Sequence, residues 1–232
     1  MQFIVTLISF LIFVGCSSEE ITPKPKEPTK PKEVNETKEP KEPKKEIEVL
    51  SQEEKFLLTL DKEQKVIYQY LKLYLSSLTT LDSDTIVQLT YPKLFLVFDK
   101  NTFRRQIITM ANSSQITIQS FDTKNIEIGE IQSFSKGSFA KIAYTSIITL
   151  HLTNPNLYNT TSSINTLYSI LVRKYGREEI YVDVENRLVR ITKKVKMLAI
   201  KESPNSWKFI GDTPEYRTLY PSFIPYEILN QI

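Results

Sequence analysis

The sequence is poor in the residues that build metal, disulfide and phosphate sites. Its 232 residues include one cysteine, one histidine and five glycines. One cysteine cannot form an internal disulfide or a thiolate cage, and one histidine cannot form a multi-histidine metal site. The chain contains neither G-x-G-x-x-G nor G-x-x-x-x-G-K-[ST], the glycine-rich phosphate-binding signatures. We therefore expect no metal ion and no other cofactor.

Charged side chains are missing from the first 15 residues. The apolar run from Phe3 to Val14 is too short to span a membrane, which takes about 20 residues. It has the length of the apolar part of a signal peptide, about 7–15 residues. The unique cysteine, Cys16, follows this run after one intervening residue, Gly15. A plain signal peptide, or an uncleaved anchor with an incidental cysteine, is the alternative to a site of lipid attachment.

The segment 13–16, which reads FVGC, resembles the lipobox of bacterial lipoproteins. The resemblance implies a lipoprotein signal peptide over residues 1–15, cleavage between Gly15 and Cys16, and lipid on Cys16. Several acyl chains on one residue hold a protein at a membrane more firmly than a single chain does.

The segment 16–20, which reads CSSEE, is similar to the acidic segment after the lipidated cysteine in surface-exposed lipoproteins of Bacteroidota. Position 17 is serine, whereas aspartate there is the usual signal for retention at the inner membrane. The resemblance implies an outer-membrane location, with the outer face favoured. The residues that would carry this sorting signal are Ser17, Ser18, Glu19 and Glu20.

Residues 16–49 are predicted to form a disordered tether after the lipidated cysteine. From Glu19 to Val49 the chain has 8 Lys, 9 Glu and 6 Pro, with no aromatic residue. Such a stretch buries too little apolar surface to offset the entropy lost on ordering. Proline extends it by at most about 3.1 Å per residue, so it could hold a domain up to roughly 100 Å from a membrane. Recognition by a proline-reading partner is the alternative.

Residues 50–232 have the size of one globular domain. Capping boxes at 51–54 and 61–64 predict two helix starts. Further helices are expected to begin at Asp82 or Asp84 and at Asp99. Apolar residues then recur at helical spacing along the second helix. They are Val66, Ile67, Tyr70, Leu71, Tyr74, Leu75 and Leu78.

The period of the apolar pattern then changes to two, which is typical of strands. Strands are predicted over 115–121, 124–132, 138–152, 179–184, 187–201 and 206–210. A helix over 162–175 interrupts them and ends at Gly176, and a short helix is expected near the C-terminus. Helices followed by long antiparallel strands indicate an α+β fold, with the helices packed on one face of a curved sheet.

This order of elements is similar to that of the nuclear-transport-factor-2-like superfamily. The likeness rests on the long opening helix, the LTYP break at 89–92, the 138–152 strand, the strand at 196–200 and the WKFI segment at 207–210. Lipoprotein members often end in a Leu-x-Pro-like helix, and the LYP at 219–221 is similar. The resemblance covers roughly residues 60–232. It implies a cone that encloses a pocket, used by some members for isomerase or dehydratase chemistry and by many for binding alone.

The sequence pattern does not place the residues with catalytic potential together at one site. His151 and Asp183 fall on the outward side of their strands, and the other aspartates of the domain mostly occupy helix starts, where they accept backbone N–H bonds. We therefore expect no enzyme activity. Tyr144 and Trp207 are candidates for the lining of a pocket, with a place in the packed core as the alternative.

Three basic residues share one face of the last long strand. Arg190, Lys194 and Lys196 could meet an anionic partner. The segment lacks the interleaved aromatic residues of a nucleic-acid stacking platform, so no nucleic acid is expected. The alternative is a solvated face whose charges prevent edge pairing.

Together these features predict a lipid-anchored cell-envelope protein that binds a ligand or a protein without catalysis. The alternatives are a small-molecule isomerase or lyase that uses the cone cavity, and a structural subunit of an envelope assembly. The expected partners are membrane lipid through Cys16 and either an envelope protein or a small ligand. A homodimer through the outer sheet face is a further expectation. An exposed apolar patch on that face near Phe139 and Ile147 would favour the structural-subunit alternative.

Overall fold

The computed structural model describes residues 51–158, 160–202 and 204–232. The predicted signal peptide and tether, with Cys16, lie outside the described residues. The helices are α1 (Gln52–Thr59), α2 (Lys62–Thr80), α3 (Ser83–Leu89), α4 (Lys100–Ala111), α5 (Thr161–Tyr175), α6 (Pro214–Leu219) and α7 (Tyr226–Leu229), with 3₁₀ helices at Pro92–Leu96 and Tyr220–Ser222. The strands are β1 (Ile116–Ile128), β2 (Gln132–Phe134), β3 (Gly137–Leu152), β4 (Ile180–Asp183), β5 (Leu188–Glu202) and β6 (Lys208–Gly211).

The helix starts predicted from the sequence are confirmed by side-chain caps. Ser51 and Asp61 both form complete capping boxes, in which the cap side chain and the residue three positions later exchange hydrogen bonds with each other's backbone. Asp82 caps α3, and Asp99 caps α4. These caps satisfy amide groups that have no carbonyl partner within the helix.

The predicted apolar stripe of α2 is confirmed for most of its members. Ile67, Leu71, Tyr74, Leu75 and Leu78 are buried in the main core. The other two predicted members differ: Tyr70 is half-buried, and Val66 is 38% exposed. Tyr68 and Ser77, which the predicted stripe does not include, are buried as well, so the buried band of α2 is displaced from the predicted one.

Six antiparallel strands form one sheet, and the predicted α+β class is confirmed. The order is β1-β3-β5-β4, with β2 beside β3 and β6 beside β5. The pairing of β3 with β5 runs without a break from Gly137 opposite Glu202 to His151 opposite Leu188. The predicted hairpin between β4 and β5 is present, with Asp183 opposite Leu188.

The prediction of separate strands over 115–121 and 124–132 is wrong. One strand, β1, runs through most of both ranges and shifts register against β3 at two places, between Ile118 and Ser120 and between Lys124 and Glu127. Each shift changes which residues point toward the core, and a change of phase in the apolar pattern looks like a strand end.

The main core lies between the helices and one sheet face. Alternate residues of β3 point into it, as the sequence predicts, and all six predicted members are buried. They are Ala140, Ile142, Tyr144, Ile148, Leu150 and Leu152. The same cluster contains apolar residues of α2, α3, α4 and α5.

The expectation that the helices pack on only one face is wrong. Phe139, Leu198 and Ile200 point to the opposite face, since they alternate with core residues along their strands. They belong to a second buried cluster with apolar residues of the C-terminal segment 214–232. That segment contains α6, which the sequence reasoning missed although Thr213 and Pro214 form a helix start of cap and first-turn proline.

Candidate functional site

The C-terminal segment leaves part of the second sheet face uncovered, and we call this part the open face. It carries alternate residues of four strands, placed by the register of the sheet. They are Asp122, Lys124 and Glu127 of β1, Ala143, Thr145, Ile147 and Thr149 of β3, Tyr181 of β4, and Arg190, Thr192, Lys194 and Lys196 of β5. The side chains of β3 in this set are half-buried, while the three basic side chains of β5 are exposed.

The predicted basic row lies on the open face. Arg190, Lys194 and Lys196 point to the same side of β5, and their partners on β3 are Thr149, Thr145 and Ala143. Because these partners have short side chains, the surface over β3 lies lower than the ends of the basic side chains beside it. Acidic residues lie on both sides of the row, with Asp122 and Glu127 on β1 across β3 and Glu179 just before β4, near enough to Lys194 for an electrostatic interaction.

One exposed aromatic side chain accompanies the row. Tyr181 is 59% exposed and lies beside Arg190, whose guanidinium carbon is 5.8 Å from the centre of the tyrosine ring. A guanidinium at this distance interacts favourably with the ring face, and the contact holds both groups in place at the surface.

A groove of about 520 Å³ continues the open face near Lys196. Its walls include Lys141, Lys196 and Arg217 together with Glu127 and Asp212. Arg217 donates two hydrogen bonds to Asp212, of 2.6 Å from Nε to Oδ1 and 2.9 Å from a terminal nitrogen to Oδ2. The hydrogen bond to Asp212 raises the pKa of Arg217. Asp212 is 7% exposed, and each oxygen of its carboxylate accepts one of these two hydrogen bonds.

The two pocket candidates from the sequence lie in the packed core. Tyr144 is 3% exposed and Trp207 is 1% exposed. The indole nitrogen of Trp207 has no hydrogen-bond partner among the described residues, and the Nζ of Lys201 lies 5.8 Å from the centre of its ring. Neither side chain lines the groove beside Lys196.

His151 and Asp183 lie away from the core, as the sequence indicates. His151 is half-buried at the end of β3. Asp183 accepts hydrogen bonds from the backbone and side chain of Asn186 in the hairpin turn, at 3.0 and 2.8 Å, and these bonds lower its pKa. A carboxylate stabilised in this way is a weak base, so Asp183 acts as part of the turn.

Among the residues the structure describes, no group of three or more His, Cys, Asp and Glu side chains could hold a metal ion. Within the same ranges, every helix is either too short or too polar to cross a bilayer.

Comparisons of the chain with family models, with curated proteins and with solved structures give no match.

Proposed function

We propose that this chain is a non-enzymatic binding module of the bacterial cell envelope, held at the outer membrane by lipid on Cys16. We propose further that the open face binds an acidic polysaccharide. The observation that carries this proposal is the row of Arg190, Lys194 and Lys196 beside short side chains of β3.

The spacing of the row suits an extended chain of negative charges. Residues two apart on one face of a strand are separated by about 6.8 Å, so Lys194 and Lys196 can contact neighbouring charges of one ligand. Arg190 extends the row by about twice that distance. Each exposed ion pair contributes little alone, and a polymer that contacts several cations adds these contributions together.

The surroundings of the row favour a glycan over a nucleic acid. Single-stranded nucleic acids bind on successive aromatic side chains, whereas Tyr181 is the one aromatic residue of the open face. The exposed ring of Tyr181 lies next to Arg190, and the hydroxyl group of Thr149 follows on the next strand, so an apolar patch has polar neighbours. That surface is compatible with a sugar ring.

The order of the elements and the irregularities of β1 support a finer proposal about the fold. We propose that the domain is a variant of the nuclear-transport-factor-2-like cone, with α5 and β4 as an insertion. The helices-first order and the two register shifts of β1 support it, because bulges of this kind bend a strand and increase its twist.

Removing the basic row is expected to weaken polysaccharide binding at least about tenfold. The variant carries Arg190→Gln, Lys194→Gln and Lys196→Gln, and binding of the full chain in detergent to polygalacturonate is measured by calorimetry. The affinity of the unmodified protein should fall as salt rises, since the screening length drops from about 10 Å at 0.1 M to about 3 Å at 1 M.

A matched control removes the same charge from the helical side of the domain, with Lys62→Gln, Lys65→Gln and Arg105→Gln. This control is expected to bind polygalacturonate as the unmodified protein does, and neutral dextran should bind to neither variant. Equal affinities of the two triple variants would contradict the role of the open face. Formation of dimers that depend on the row, without polysaccharide binding, would point to a second copy as the occupant.

Replacing Cys16 with serine is expected to abolish both lipid labelling and membrane retention. The measurement is incorporation of an acyl-chain probe in growing cells, followed by separation of membrane and soluble fractions. Ser17→Ala serves as the control, because it alters the neighbouring residue and keeps the thiol. Equal labelling of the unmodified protein and of Cys16→Ser would refute the anchor.

A further inference from the structure

A second cleft lies at the end of the sheet where β5 begins, away from the groove beside Lys196. Its volume is about 370 Å³. One part of its wall is apolar and the other part polar. The apolar part consists of Pro155, Ile164, Val184 and the ring of Tyr158, and the polar part of Thr160, Thr161, Glu185 and Arg187.

The N-terminus of α5 opens onto this cleft. Thr160 caps the helix, and its hydroxyl oxygen accepts a hydrogen bond of 3.2 Å from the backbone of Ser163. The amides of Thr161 and Ser162 precede every carbonyl that a helix could offer them, so they are available to a ligand. The 15-residue helix also directs the positive end of its dipole toward this place.

Arg187 adds a full positive charge to the wall. Its carbonyl oxygen accepts a hydrogen bond of 2.9 Å from the backbone of Leu152, which fixes the hairpin turn against the end of β3. Glu185 lies in the same turn and is exposed. An exposed carboxylate is screened by water, so it reduces the positive potential of Arg187 and the helix end without cancelling it.

Tyr158 supplies an observation independent of the helix. Tyr158 lines the cleft and is only 4% exposed, and its hydroxyl has no hydrogen-bond partner among the described residues. Buried hydroxyl groups without a partner are costly and uncommon in folded proteins. Burial raises the pKa of Tyr158, so the hydroxyl keeps its proton and can act as a donor.

We propose that this cleft binds the carboxylate or phosphate group of a small organic anion. The amides of Thr161 and Ser162, the guanidinium of Arg187 and the hydroxyl of Tyr158 donate to the anionic group, and Pro155, Ile164 and Val184 contact the apolar remainder. The arrangement combines a helix N-terminus with a charge-assisted donor, which is a general way of holding anions. This site goes beyond the proposed function and does not depend on the open face.

The test is a titration of the full chain, labelled with ¹⁵N and held in detergent, with inorganic phosphate and with hexanoate. Saturable shifts of the amide signals of Thr161 and Ser162 are expected with at least one probe, and the tighter probe identifies the anionic group. Arg187→Gln should weaken binding at least about tenfold, while Arg187→Lys should restore part of it. Arg173→Gln, at an exposed arginine in the last turn of α5 and so at the opposite end of the helix, is the matched control and should bind as the unmodified protein does.

Tyr158→Phe separates a ligand role from a structural role. It should weaken binding several-fold and leave the melting temperature of the ligand-free protein unchanged or higher, since it removes a buried hydroxyl that has no partner. A clear drop in that melting temperature would show that the hydroxyl is used within the fold and would overturn its assignment as a donor. The site itself is overturned if neither probe shifts Thr161 and Ser162, or if Arg187→Gln binds with unchanged affinity.

Discussion

Replacing Phe139 with alanine is expected to lower the free energy of unfolding by about 3–5 kcal/mol. The side chain is fully buried between β3 and the C-terminal segment, opposite Ile200 of β5. The substitution would remove most of a large aromatic contact and leave a cavity that rigid neighbours cannot close. Urea unfolding followed by fluorescence of Trp207, the single tryptophan and a buried one, measures the change.

The matched control is Ile147→Ala, eight residues along the same strand and on the same sheet face. Ile147 is half-buried on the open face, so its removal should cost about 1 kcal/mol or less. If both substitutions had equally small effects, the C-terminal segment would not cover Phe139. The comparison therefore tests whether the C-terminal segment covers this part of the second sheet face.

Replacing Gly137 with alanine is expected to destabilise the protein by roughly 3 kcal/mol. A methyl group built on this glycine would overlap the carbonyl oxygen of Lys201, which belongs to the neighbouring strand backbone. Backbone cannot rotate away as a side chain can, so the end of the β3–β5 pairing would have to open. The lost protection appears in hydrogen exchange of the amides near Gly137 and Glu202, which are paired in the structure.

Gly176→Ala is the control for this prediction. Gly176 ends α5 with φ of 92° and has nothing within 4 Å of the position of an added methyl group. Its substitution should cost only the strain of the backbone conformation, about 1 kcal/mol. An effect of Gly137→Ala no larger than that of the control would mean that β3 and β5 are not so closely paired there.

The local parts of the fold could be predicted because their signals lie within a few residues. The capping boxes at Ser51 and Asp61 indicate helix starts, because their hydrogen bonds join residues three positions apart. The strict alternation along β3 identifies its buried residues, since every second side chain points to the core. Such short-range rules need no knowledge of the rest of the chain.

The parts that could not be predicted depend on contacts between distant residues. The register shifts of β1 are defined only against β3, and the sequence pattern alone, with its two phases, therefore predicts two strands. The burial of Phe139 depends on Tyr220, Phe223 and other residues some 80 positions later. An alternating pattern shows that a side chain points away from the core face of the sheet. It does not show what covers the opposite face.

The candidate sites also have parts that local sequence predicts and parts that depend on distant residues. The basic row was predictable, because Arg190, Lys194 and Lys196 lie on one strand at even spacing. The groove beside it was not, since Asp212, directly after β6, and Arg217 of the C-terminal segment reach it from later in the chain. The second cleft brings Tyr158 and Arg187 together across the end of the sheet, and only the cap residues at the start of α5 gave a local signal for it.

The first helix determines how the domain would respond to a mechanical pull on its N-terminal end. None of the residues of α1 is fully buried. The ion pair of Glu53 with Lys72, at 2.7 Å, and the contact of Phe56 with the ring of Tyr68 join it to α2 at the surface. Under tension α1 should therefore peel off first, and its eight residues would release up to about 27 Å of chain. The domain would then lengthen at α1 under load, while the paired strands of the sheet stay in place.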